Sequence, residues 1–185
     1  MSPEWLTAIG TIGTFLVIAA SGAAALFQLR HMRGSNQIVA LTEVRETIES
    51  PAFQAAERFI SELAGRYDDP EVRKGLSAPF FPLEFQPVRY VANFFETFGA
   101  FVKNGIIDAE LACDLWGGVV VRNWDALGPI IASRRANMGT TALWENFEYL
   151  TLISKRFVDA NPDGTFPKNM KRLPLPRPWP KEPVA

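Results

Sequence analysis

One histidine, His31, and one cysteine, Cys113, are all that the chain offers as soft metal ligands or His/Cys catalysts. Zinc and di-iron sites need several such ligands at fixed spacing, so neither is expected. A His-based triad would require His31 to be buried in a site, and it stands instead beside Arg30 and Arg33 in a basic flank. One cysteine forms no internal disulfide and suits a reducing compartment. Phosphate loops are also missing: neither G-x-x-x-x-G-K-[ST] nor G-x-G-x-x-G occurs. Charge of either sign is not in excess, with 19 Lys plus Arg against 20 Asp plus Glu, which argues against nucleic acid as a partner. No run alternates apolar and polar residues as a half-buried strand would.

What the chain does have is a long apolar stretch, Trp5–Leu29, without a charged residue. As a helix rising about 1.5 Å per residue it would reach about 37 Å, against about 30 Å of hydrocarbon core. It reads as a single transmembrane helix over residues 5–29. Trp5 and the cluster Arg30, His31 and Arg33 would mark the membrane boundaries. Basic residues follow the stretch and none precedes it, which places the N-terminus outside and the C-terminal part in the cytoplasm. A signal peptide would want a basic start where Glu4 stands, and a shorter apolar core. A buried core helix would also be shorter. Small residues recur four apart within the stretch, including Ala20 and Ala24, a spacing that lets two helices approach closely and so allows a homo-oligomer through the anchor.

Residues 36–159 read as an all-α domain, a cytoplasmic bundle of four to five helices. Ile38, Leu41, Val44 and Ile48 continue the first helix, with a possible joint at Gly34-Ser35. Ser50-Pro51 is an N-cap followed by proline at the first helical position, and Phe53, Ala56, Phe59, Ile60 and Leu63 form that helix's buried stripe up to Gly65. Residues 67–86 hold prolines and no sustained period, so they are expected as a long apolar loop. Pro87 opens the clearest helix, with Val88, Val91, Phe95, Phe98 and Val102 on one face and a stop at Asn104-Gly105. Asp108 caps the next, whose apolar side is expected at Leu111, Leu115 and Val119. A separate short helix is expected after Gly128-Pro129, and a last one capped by Thr140 or Thr141 with Leu143, Phe147, Leu150, Ile153 and Phe157 inward. Fourteen Phe and five Trp supply ample core.

Residues 160–185 form a Pro-rich basic tail. Prolines at 174, 176, 178, 180 and 183 exclude a helix and favour an extended path. Lys171, Arg172, Arg177 and Trp179 in this tail, with Phe80, Phe81 and Phe85 in the loop, are the candidate partner- or membrane-binding residues. The partner classes are another membrane protein or complex and an anionic lipid surface. Glu96, inside a Phe-rich helix and read as paired with Arg122 or Arg134, is the carboxylate an enzyme on a membrane substrate would use, with Arg134 or Arg135. No cofactor is expected.

The stretch FFETFGAFVKNGIIDAELACDLWG at residues 94–117, followed by Trp124, Pro129-Ile130-Ile131 and Arg134-Arg135, resembles a family of bacterial proteins known only as a domain of unknown function. The resemblance covers residues 40–157 and implies one N-terminal membrane helix with a small helical cytoplasmic domain. It implies no activity and brings no catalytic residues. The function expected from these features is a non-catalytic, membrane-anchored accessory or scaffolding subunit in the bacterial inner membrane. The alternatives are a signalling or defence effector that oligomerises through its anchor and, third, the enzyme.

Overall fold

The computed structural model describes residues 3–78 and 80–175, with side chains at 5–9, 26 and 29–36 outside the description. Among the described residues all regular structure is helical, which agrees with the all-α expectation. The helices are α1 (Pro3–Glu49), α2 (Pro51–Ala64), α3 (Pro70–Ser77), α4 (Gln86–Lys103), α5 (Ala109–Met138) and α6 (Glu145–Ala160), with a 3-10 turn at Leu83–Phe85.

Most boundaries follow from local chemistry. Ser50 Oγ accepts the Phe53 N–H at 3.1 Å, and Pro51 fills the first helical position, so α1 ends and α2 begins within one residue. Asp108 Oδ1 accepts the Leu111 N–H at 2.9 Å and starts α5. Gly139, at φ 63, closes α5 in the left-handed conformation that glycine adopts without steric cost.

Three expectations about where helices begin and end are corrected. First, no joint occurs at Gly34-Ser35, and α1 runs unbroken from Pro3 to Glu49. Second, the 67–86 stretch is not all loop. Asp69 accepts the Glu71 N–H at 3.0 Å, Pro70 follows it, and Val72 and Leu76 lie one turn apart on the buried side, so α3 forms. Third, Pro129 does not start a helix but lies inside α5. Its ring removes one backbone donor, and in the same turn the Tyr67 hydroxyl donates to the Ala126 carbonyl at 2.7 Å.

The core lies among α2, α4, α5 and α6. Phe95 stacks on Phe147 at 4.8 Å between ring centres, Trp124 meets Phe147 edge-on at 5.0 Å, and Phe53 meets Phe94 edge-on at 5.0 Å. Beyond buried area, each well-placed aromatic pair is worth about 0.5–1.5 kcal/mol. Among the described side chains, α1 joins this core through its last turns, where Ala40 and Val44 are buried and Leu41 and Ile48 pack against it.

α4 and α6 approach closely. A methyl group at Gly99 would overlap the Asn146 backbone. At that crossing the α6 N-terminus receives its cap from another helix: the Glu96 carboxylate accepts the N–H groups of Asn146 and Phe147, each at 3.0 Å, and the Asn146 side-chain N–H at 2.7 Å. The residue at the N-cap itself, Trp144, has no capping oxygen and sits at φ 56. Such a backbone costs about 1–3 kcal/mol and persists only where the surroundings impose it. Here the indole is buried and donates to Asn93 Oδ1 at 2.9 Å. Neither Thr140 nor Thr141 caps α6; Thr140 Oγ1 accepts from Ala142 N.

Candidate functional site

Among the described residues, the N-terminal part of α1 and the connection from α3 to α4 both carry exposed apolar residues. The larger is the N-terminal part of α1. Ile12, Phe15, Leu16, Val17 and Ile18 are each at least 60 % exposed, and Phe27 is exposed as well. Their positions go right round the helix, so no single face could be covered by packing on the bundle. Among the described residues, no helix is long and apolar enough to cross a membrane. The described run of side chains at 10–25 accounts for about 24 Å of rise, short of about 30 Å of hydrocarbon. The side chains of Trp5, Arg30, His31 and Arg33, expected at the boundaries, lie outside the described residues. Ala20 and Ala24 are described and exposed.

The smaller surface is the connection from α3 to α4. Of the three phenylalanines expected to face a partner or membrane, only Phe80 does so, at 88 % exposure; Phe81 and Phe85 are buried in the core. Leu83, 90 % exposed, stands with Phe80 instead. The buried pair anchors the connection while the exposed pair projects from it. Arg134 of α5 holds it from beneath: its guanidinium lies 4.1 Å from the centre of the Phe81 ring and donates to the carbonyls of Leu76 at 3.0 Å and Ala78 at 2.9 Å. Burial pushes the pKa of Arg134 down. A methyl group at Gly75 would overlap the Phe85 ring, so that glycine is required for the anchor to seat.

Between α3 and α5 lies a pocket of about 420 Å3 floored by Leu76, Pro129 and Ile130 and edged by Tyr67, Ser77 and Ser133. Burial pushes the Tyr67 phenol up to about 12. The phenol serves as a donor to α5.

The tail is described as far as Leu175. Asn161 to Gly164 make a turn, and the Thr165 hydroxyl donates to Asp114 at 2.6 Å, which holds the start of the tail against α5. Lys171 and Arg172 are exposed; Arg172 donates to the Asp163 carbonyl at 2.9 Å and lies over the Phe166 ring at 4.7 Å. Arg177 and Trp179 lie outside the described residues.

The carboxylate and guanidinium groups singled out in the sequence bind different partners. Glu96 caps α6 rather than pairing with Arg122 or Arg134. Arg135 binds Glu148 at 2.7 Å and the Leu143 carbonyl at 2.9 Å. Among the described residues, no group of three or more His, Cys, Asp or Glu is placed to hold a metal ion. Burial raises the pKa of Cys113, whose sulfur lies 3.7 Å from the Ser154 hydroxyl.

These features define an all-α domain carried on the base of a long, partly naked helix. A family described as a domain of unknown function (DUF4760) matches residues 15–153, and the chain belongs to it. The match begins within the apolar part of α1, so that part of the helix belongs to the family domain. No curated protein and no solved structure matches the chain.

Proposed function

We propose that the protein is a non-catalytic, membrane-anchored accessory or scaffolding subunit. In this reading the apolar stretch 5–29 lies in the bacterial inner membrane with its N-terminus outside, and the α2–α6 bundle binds another membrane protein or complex on the cytoplasmic side. The observation that supports it is the α1 surface: apolar side chains project on every side of the helix, and the bundle covers none of those at 10–25. A helix apolar all round matches a lipid environment better than a one-sided groove on a soluble partner. The basic flank after residue 29 supports the orientation. Phe80 and Leu83, on a connection anchored by the buried Phe81 and Phe85, supply an anchor for the partner, and the exposed Lys171 and Arg172 suit an anionic lipid surface.

The test is gentle detergent extraction of the full chain from its native membrane, followed by native mass analysis. A stoichiometric complex with another membrane protein is expected, and Phe80→Ser with Leu83→Ser should weaken it. Recovery of the chain without any other protein would overturn the accessory role. A second reading, a signalling or defence effector that self-associates through α1, is favoured by the small residues of that helix.

A further inference from the structure

Beyond α6 the described chain folds back on itself. The Arg172 guanidinium, which donates to the Asp163 carbonyl at 2.9 Å and covers the Phe166 ring, closes residues 163–172 into a loop. At its tip the Met170 N–H donates to the Pro167 carbonyl at 3.0 Å, a turn that carries Lys168 and Asn169. Lys168 and Lys171 are exposed, and so are Met170, Leu173 and Leu175. From Gly164 to Leu175 the sequence holds Lys168, Lys171 and Arg172 as cations and no acid. The loop thus displays positive charge and apolar side chains together.

Its root has a definite place. The Thr165 hydroxyl binds Asp114 at 2.6 Å, and the next residue of α5, Leu115, lines one cleft with Ile38, Leu41 and Thr42 of α1. Leu115, expected inside the bundle, is exposed there because the buried stripe of α5 runs through Ala112, Cys113, Gly117 and Val120. The loop is therefore rooted beside residue 38 of the helix that carries the apolar stretch. From Leu29 to Ile38 that helix rises about 14 Å, of which a headgroup layer would take up about 6 Å. The chain from Thr165 to Met170 can span up to about 17 Å, enough to close the remainder. Asp108, Glu110 and Asp114 line the recess at the root, where Asp108 caps α5 and Asp114 holds Thr165. Charge is divided along the loop, with acids at the root and cations at the tip.

We propose that residues 163–175 form a foot that rests on anionic lipid beside the point where α1 leaves the membrane. Lys168 and Lys171 meet the headgroups, Met170, Leu173 and Leu175 enter the layer between them, and Arg172 serves chiefly as the clamp that closes the loop. The placement rests on the membrane reading of residues 5–29. Its chemistry is charge complementarity: basic residues next to a membrane-entering helix are attracted to an anionic leaflet and indifferent to a zwitterionic one. The foot and α1 then hold the bundle to the membrane at two points, which fixes the side of the bundle that faces a neighbour in the same membrane.

The test uses the full chain, without other proteins, in vesicles of phosphatidylcholine with about 30 % phosphatidylglycerol, and in phosphatidylcholine alone. A fluorophore is attached after Met170→Cys or, as reference, after Met138→Cys at the far end of α5, about 36 Å along that helix from Asp114. Both positions are exposed, and the native thiol, Cys113, is buried, so the unsubstituted chain is the blank. A quencher carried on lipid headgroups should quench position 170 at least about five-fold more than position 138 in the anionic vesicles. That difference should vanish in phosphatidylcholine alone and in the variant with Lys168→Glu and Lys171→Glu. Equal quenching at the two positions in anionic vesicles, or a difference that persists without anionic lipid, would overturn the foot. A fluorophore after Phe15→Cys, read with a quencher on the acyl chains, separates this result from the membrane reading. Quenching at 15 without the 170 pattern defeats the foot alone. The 170 pattern without quenching at 15 supports the foot and defeats the anchor, and neither signal defeats both.

Discussion

The α4–α6 crossing and the N-terminal part of α1 both place small residues on a helix face, and they differ in every other respect. At the crossing, Gly99 is required by the Asn146 backbone, and Glu96 supplies three hydrogen bonds to the start of α6. Along α1, a methyl group added at Gly10, Gly13 or Gly22 would meet nothing within 4 Å, and large apolar side chains stand open beside them. The first region is complete within one chain. The second is left uncovered by the described residues of the chain, and the proposed function gives it lipid as its surroundings. Local saturation thus separates the part that folds the molecule from the part left open.

The sharpest way to break this comparison is to overfill both regions. Gly99→Val should lower bundle stability by about 3 kcal/mol or more, since the overlap is with backbone that has no room to relax. Gly13→Val should leave bundle melting unchanged, and denaturant melts of both variants check the contrast. Next in size is Glu96→Ala, which leaves α6 without its cap and should cost about 2–3 kcal/mol, hydrogen bonds to a charged group being the stronger kind. Ser50→Ala removes an ordinary N-cap and should cost about 1 kcal/mol.

Tyr67→Phe sharpens the picture through pH. The folded pKa of Tyr67, about 12, lies above the ordinary phenol value of 10.0. Its contribution is therefore complete below pH 10 and is lost as pH rises through 12. The wild type should lose stability over that window, and the phenylalanine variant should lose less. The smallest effect is expected at Leu83→Ser, which should change the melting free energy by no more than about 0.5 kcal/mol, because the side chain is almost wholly exposed.

Much of the fold was legible because its signals are local. Ser50-Pro51 and Asp108 act as caps, Asn104-Gly105 stops α4, and the stripe Val88, Val91, Phe95, Phe98, Val102 is buried throughout. What escaped the sequence depends on contacts distant along the chain. The α6 cap comes from Glu96, fifty residues before its first donor partner Asn146. Trp144 holds a left-handed backbone that no propensity would assign. The stripe of α5 was displaced at Leu115, which looks like a core residue until the small Cys113 and Gly117 prove to face α6, whereas Val119 packs against the core as expected. The short α3 was hidden by proline, although Asp69-Pro70 followed by Val72 and Leu76 was the signal that could have found it. For the candidate surfaces, exposure at Phe80 and burial at Phe81 and Phe85 were beyond reach, since all three are equally apolar in sequence.

The central claim is that the apolar part of α1 is covered by lipid. It is tested most directly by labelling Phe15→Cys with a membrane-impermeant maleimide in opened native vesicles, beside Leu83→Cys as the exposed reference. The account predicts that position 15 stays unlabelled until detergent is added, while position 83 reacts at once. Equal labelling of the two positions without detergent would contradict it.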